Sequence, residues 1–210
     1  MELGAEELRV VGSLIEKELT TPQQYPLTLN ALVTACNQTS NRFPVVEYEE
    51  RTIEATVMGL KDKGLARVVH PSHGRSATRY RQVLHEVLHL EQPELAVLGV
   101  LMLRGPQTLN ELRTRTERAA DFAEPADVER TLDALAAREQ PLVLRIPHQP
   151  GQREDRYAHL LGGEVDVTEL PAPSPSPRAS RADELVDLRE EVAALRRDLD
   201  ELRKELGFGG

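Results

Sequence analysis

From about residue 5, Leu8, Val11, Ile15 and Leu19 recur at three- and four-residue spacing, which predicts an amphipathic helix that Thr20-Thr21-Pro22 stops. After an extended Tyr25-Pro26-Leu27, Thr28 is placed to cap a second helix running through Cys36. The polar run Asn37-Gln38-Thr39-Ser40-Asn41-Arg42 reads as a loop. A third helix then carries Ile53, Val57 and Leu60 to a Lys63-Gly64 stop. Leu65 to Val69 and Ala77 to Val83 read as two strands joined by Pro71-Ser72-His73-Gly74.

The pattern repeats. Leu27-Thr28-Leu29-Asn30-Ala31-Leu32 is answered by Gln107-Thr108-Leu109-Asn110-Glu111-Leu112, and Arg79-Tyr80-Arg81-Gln82-Val83-Leu84 by Arg156-Tyr157-Ala158-His159-Leu160-Leu161. Ile53, Val57 and Leu60 find counterparts in Val128, Leu132 and Leu135. The second copy predicts helices over Glu94–Arg104, from Thr108, and from Pro125 to Arg138. Its hairpin joins Leu142–Ile146 to Arg156–Leu161. Helix, helix, helix, hairpin is the order of a winged helix-turn-helix. The expected class is therefore α+β, mainly helical, with winged-helix domains in tandem at 1–90 and 91–167.

Leu170-Pro171-Ala172-Pro173-Ser174-Pro175-Ser176-Pro177 marks 168–182 as a Pro/Ser-rich linker. Beyond it, Leu185, Leu188, Val192, Leu195, Leu199, Leu202 and Leu206 alternate spacings of three and four, which predicts a coiled coil over 183–206. Acids at Glu184, Glu191, Asp198 and Glu205 would face Arg189, Arg196 and Arg203 of a parallel partner, so a parallel homodimer is expected. A trimer and a helix folded back on its own domains stay open.

At 210 residues, with 40% hydrophobic and 29% charged content, the chain has room for one large or two small cores, and the repeat makes two the better fit. Aromatic residues are 3% of the chain and Trp is absent, which counts against base-stacking modules. The lone Cys36 excludes an intrachain disulfide and suits a reducing compartment. The acidic start and the lack of any apolar run near about 18 residues predict neither leader nor membrane span, hence a cytoplasmic protein. A net charge of −9 lowers the odds of general duplex coating.

Leu14-Ile15-Glu16-Lys17-Glu18-Leu19-Thr20-Thr21-Pro22, Ala35-Cys36-Asn37-Gln38 and Ser40-Asn41-Arg42 form one set of long motifs. Leu103-Arg104-Gly105-Pro106-Gln107-Thr108 and Pro150-Gly151-Gln152-Arg153-Glu154 with Arg156-Tyr157 form another. Over residues 10 to 162 these resemble the YceH family of bacterial proteins, whose members look like tandem winged-helix proteins. The resemblance implies the fold and brings no activity with it.

His85-Glu86-Val87-Leu88-His89 fits a zinc-peptidase string, but Gln92 and Leu95 stand where the metzincin extension needs Gly and His. Exposed interdomain histidines are the simpler reading. Neither a phosphate loop nor a nucleophile triad can be argued from spacing, so no enzyme and no cofactor are expected. The partner is expected to be duplex DNA or a protein. Third helices that enter a groove should donate to phosphates, yet here they mostly accept, offering Glu47, Glu49, Glu50, Arg51 and Glu54, then Glu124, Asp127, Glu129, Arg130 and Asp133. Basic residues gather on the wings, at Arg75, Arg79, Arg81, Arg153 and Arg156, and around the second helix of the second copy at Arg113, Arg115 and Arg118. These would grip phosphates, meet an acidic partner, or hold structural salt bridges at the matched positions Arg79 and Arg156. The loop residues Asn37, Gln38, Ser40, Asn41 and Arg42 would cap helix ends or read a surface. An adaptor built like the winged-helix subunits of chromosome-organising ATPases is the alternative to a DNA-associated regulator.

Overall fold

The structure, a computed structural model, describes residues 2–70, 77–148, 153–163, 165, 192 and 196. Helix α1 (Ala5–Thr20) leads through a short 3-10 turn at Pro22–Gln24 into β1 (Leu27–Thr28) and α2 (Leu29–Cys36). Then follow α3 (Glu50–Asp62) and the antiparallel strands β2 (Ala66–Val69) and β3 (Arg79–Gln82). A short α4 (Leu84–Leu88) precedes the second series. That series is α5 (Gln92–Arg104), β4 (Gln107–Thr108), α6 (Leu109–Thr116), α7 (Pro125–Ala136), β5 (Val143–Ile146) and β6 (Arg156–His159). The fold is mixed α+β with two small antiparallel sheets, ordered β1-β3-β2 and β4-β6-β5.

Matching sequence produces matching geometry. Leu27 and Thr28 pair with Tyr80 and Arg79, while Gln107 and Thr108 pair with Tyr157 and Arg156. Thr28 caps α2 by accepting from the Ala31 amide at 3.2 Å, and Thr108 caps α6 from Glu111 at the same distance. Glu111 reaches back to the Thr108 amide at 2.9 Å and closes a capping box that Ala31 cannot.

Room for two small cores was expected, but the buried apolar residues of both series form one continuous cluster, from Leu3 and Val10 through Leu98 and Leu101 to Leu142 and Leu161. The reason lies in α5. Leu95, Ala96, Val97, Leu98, Leu101, Met102 and Leu103 are all buried, so this helix is covered on every side, and α1 supplies part of the cover. The crossing is close because glycines sit at it. An ideal Cβ on Gly12 would lie 2.9 Å from Leu103 Cγ, and one on Gly99 would lie 2.8 Å from Ile15 Cγ2. Backbone bonds from the Leu3 amide to the Leu161 carbonyl and from the Phe43 amide to the Leu103 carbonyl, each 2.8 Å, add further ties.

Among the described residues no helix is long and apolar enough to cross a membrane. Of the leucine seam, only Val192 is described; it is helical and 40% exposed. Leu185, Leu188, Leu195, Leu199, Leu202 and Leu206 lie outside the described residues, as does the 168–182 linker.

Candidate functional site

Among the described basic residues, several are bonded to other parts of the fold. Arg79 donates to the Pro26 carbonyl at 2.8 Å, and its counterpart Arg156, only 5% exposed, donates to the Pro106 carbonyl at 2.9 Å. Arg156 and Arg115 also converge on Glu111, at 3.8 and 3.5 Å. Arg79 and Arg156 thus tie the middle strand of each sheet to the segment just before its short first strand, while Arg115 pairs with Glu111 within α6. Arg81 and Arg67 both grip Glu86 at 2.8 Å. Arg113, Arg118 and Arg153 are exposed, and Arg75 lies outside the described residues.

That grip also engages the glutamate of the zinc-peptidase string. The hydrogen bond from Arg81 holds the Glu86 carboxyl below its usual range. Helix α4 ends at Leu88, and His89, its C-cap, turns into the left-handed region at φ 50°. His85 faces Gln82, its Nδ1 2.9 Å from the amide nitrogen.

The polar loop is anchored from within. Arg42, whose side chain is fully covered, meets both Glu16 oxygens, at 3.0 and 2.6 Å. It also donates to the Ala35 carbonyl at 2.9 Å and to Gln38 Oε1 at 2.5 Å. Burial alone would raise the Glu16 carboxyl, but Arg42, followed by Lys17, holds it down to about 2. Arg9 is buried beside them and donates to the carbonyls of Cys36, at 3.3 Å, and of Pro44. Burial pushes the Cys36 thiol up to about 11, which leaves it a packed and unreactive group. Asn37 gives both ends of its amide to the Tyr48 backbone at 2.8 Å, as a neighbouring strand would. Gln38 and Ser40 are buried, and Asn41 takes a left-handed φ of 54°.

What this framework exposes was not singled out in the sequence: Phe43, 54% exposed, and Val45, 56% exposed. An apolar pair directly after a polar run was the available signal. Glu47, Glu49 and Glu50 follow, exposed, and Glu54 continues them along α3. The outer face of α7 matches in kind through Glu129 and Asp133, with Arg130 held by Asp127. On the second hairpin, bonds from His148 and then Arg145 hold Asp155 at about 2.

The matched strands β3 and β6 differ at their last residue. Gln82 is fully bonded, with Oε1 accepting from the Leu84 amide at 2.7 Å, whereas His159 keeps a buried Nδ1 with no partner among the described residues. Burial pushes this imidazole down from 6.5 to about 4. In the unfolded chain it takes up its proton near pH 6.5, so the folded state loses stability as pH falls from 6.5 toward 4. The shift corresponds to about 3 kcal/mol at most. His159→Leu should flatten urea-unfolding stability between pH 7 and 5; an unchanged slope there would clear His159 of the effect.

The sequence profile of a family described as "Protein of unknown function, DUF480" matches residues 3–152. A UPF0502 protein of Geobacter sulfurreducens is 50% identical over 189 residues, 90% of this chain and 84% of that protein. One of Pelobacter propionicus is 49% identical over 215 residues, 97% of each chain. One of Opitutus terrae is 50% identical over 196 residues, 92% of this chain and 83% of its own. With the matched residues spanning α1 to β5 and the relatives running nearly end to end, the chain belongs to the DUF480 (UPF0502) family of bacterial proteins.

Proposed function

We propose that this chain, which we equate with the YceH-like proteins its motifs resemble, is a non-catalytic cytoplasmic adaptor. Two winged-helix units, at 1–90 and 91–167, pair with a second copy through the 183–206 seam and use their third helices to hold another protein. The recurring order of helix, short strand, two helices and hairpin supports the unit. One observation carries the choice of partner. The outward faces of α3 and α7 present Glu50, Glu54, Glu129 and Asp133, where groove insertion needs donors, while Arg79, Arg81 and Arg156 are engaged within the fold.

Fluorescence anisotropy with duplex DNA across a salt series tests it, using the full chain and one ending near Thr168. We expect no salt-dependent binding down to about 50 mM salt. The exposed Arg113, Arg118 and Arg153 favour a second reading, a dimeric DNA-associated regulator. Binding that weakens on tail removal, and whose salt slope flattens when those three become alanine, would put that reading first.

A further inference from the structure

We propose that the Phe43–Val45 tip and the acidic strip beside it dock a protein segment carrying an apolar side chain flanked by lysine or arginine. This rests on the adaptor reading and gives it a place and a partner chemistry. Residues 43–49 form no helix or strand; Phe43, Pro44 and Val45 are all exposed, and from Val45 onward exposure alternates, with Val45, Glu47 and Glu49 exposed and Val46 and Tyr48 half-buried. The strip is thus one face, apolar at one end and acidic at the other. Glu50 extends the acidic end, and Arg51 is the local exception, paired to Glu49 at 2.5 Å.

The tip is held firmly. The Phe43 amide is bound to Leu103, the Pro44 carbonyl to Arg9, and the Tyr48 backbone to Asn37. A surface fixed before binding loses little entropy on docking, and exposed apolar side chains on a rigid loop are the usual form of a contact site.

Charge selects the occupant. A second copy placed face to face would set acid against acid. The chain's own 168–210 segment carries 7 Lys and Arg against 10 Asp and Glu, so it too is repelled. Nucleic acid meets the same field. A cationic segment with an apolar anchor satisfies both ends of the strip.

The probe is a fluorescein-labelled amphipathic peptide of leucine and lysine, with leucine–glutamate and serine–lysine peptides as controls, titrated by anisotropy against the full chain. The leucine–lysine peptide should bind best. Phe43→Ser/Val45→Ser and Glu47→Gln/Glu49→Gln/Glu50→Gln should each weaken it by about tenfold or more, with unchanged circular dichroism melts. Absence of binding to the intact chain, equal binding of the leucine–glutamate peptide, or unchanged affinity in the Phe43/Val45 variant overturns the proposal. Affinity lost only on Glu54→Gln/Glu129→Gln keeps the adaptor reading and removes this site. A fall in mass by light scattering in the Phe43/Val45 variant would make the tip a self-interface and overturn it equally.

Discussion

Replacing Arg42 by alanine should lower the unfolding free energy by about 3 kcal/mol at pH 7. Removing one partner of a buried pair leaves the other charged and unmatched, which typically costs about 3–5 kcal/mol. Glu16 is still 24% exposed, so water offsets part of that loss and the lower end applies. The Ala35 carbonyl and Gln38 Oε1 lose a donor at the same time. Arg42→Lys keeps the charge but not the two-pronged contact with the carboxylate, so it should recover about half. The difference depends on pH with a definite sign. The Glu16 carboxyl is held at about 2 against its ordinary 4.5, so the pair's contribution is complete above 4.5 and fades as pH falls toward 2. Urea unfolding at pH 7 and pH 3 measures both. A cost under about 1 kcal/mol at pH 7 would remove Arg42 as the anchor of the loop.

The Arg42 pair cannot be read from a string of polar letters, and the exposed tip left only the weak signal of an apolar pair after a polar run. Glu16 stands 26 positions upstream of Arg42, and nothing in local spacing links them. The helix order, by contrast, was open to inspection because its signals are local. Thr28 and Thr108 cap, Gly64 and Gly105 stop helices at positive φ, and Pro125 starts one. Strands β1 and β4 are two residues each, too short for alternation to register, and only their place inside the matched repeat strings marks them. The repeat match also favoured the structural reading of Arg79 and Arg156, whose donations to Pro26 and Pro106 are the same bond made twice. The merged core was written in α5. A helix apolar on every side has to be covered on every side, and choosing two small cores over one large one because the sequence repeats overlooked that.

The same Gly→Ala substitution should have opposite signs at different helical glycines. At Gly59 of α3 nothing lies within 4 Å of the added methyl, so the gain in helix propensity stands alone, about 0.5–1 kcal/mol of stabilisation. At Gly99 the methyl would sit 2.8 Å from Ile15 Cγ2. At Gly12 it would sit 2.9 and 3.0 Å from Leu103 Cγ and Cδ2 and 3.2 Å from Met102 Cβ. These atoms lie close to their own backbones and cannot swing aside, so α1 and α5 must separate. Overpacking costs about 1–3 kcal/mol, which exceeds the propensity gain. Gly99→Val adds two further methyls and a stiff χ1, and should cost about 3 kcal/mol or more. Urea denaturation of the three alanine variants decides the matter. A Gly99→Ala protein as stable as Gly59→Ala would mean that the crossing has slack. The crossing also reaches the proposed docking tip, because Phe43 is bonded to the Leu103 carbonyl of α5 while Arg9 of α1 holds Pro44. Prying the helices apart pulls those two attachments in different directions. Gly12→Ala should therefore weaken leucine–lysine peptide binding as well as stability, whereas Gly59→Ala should leave binding unchanged.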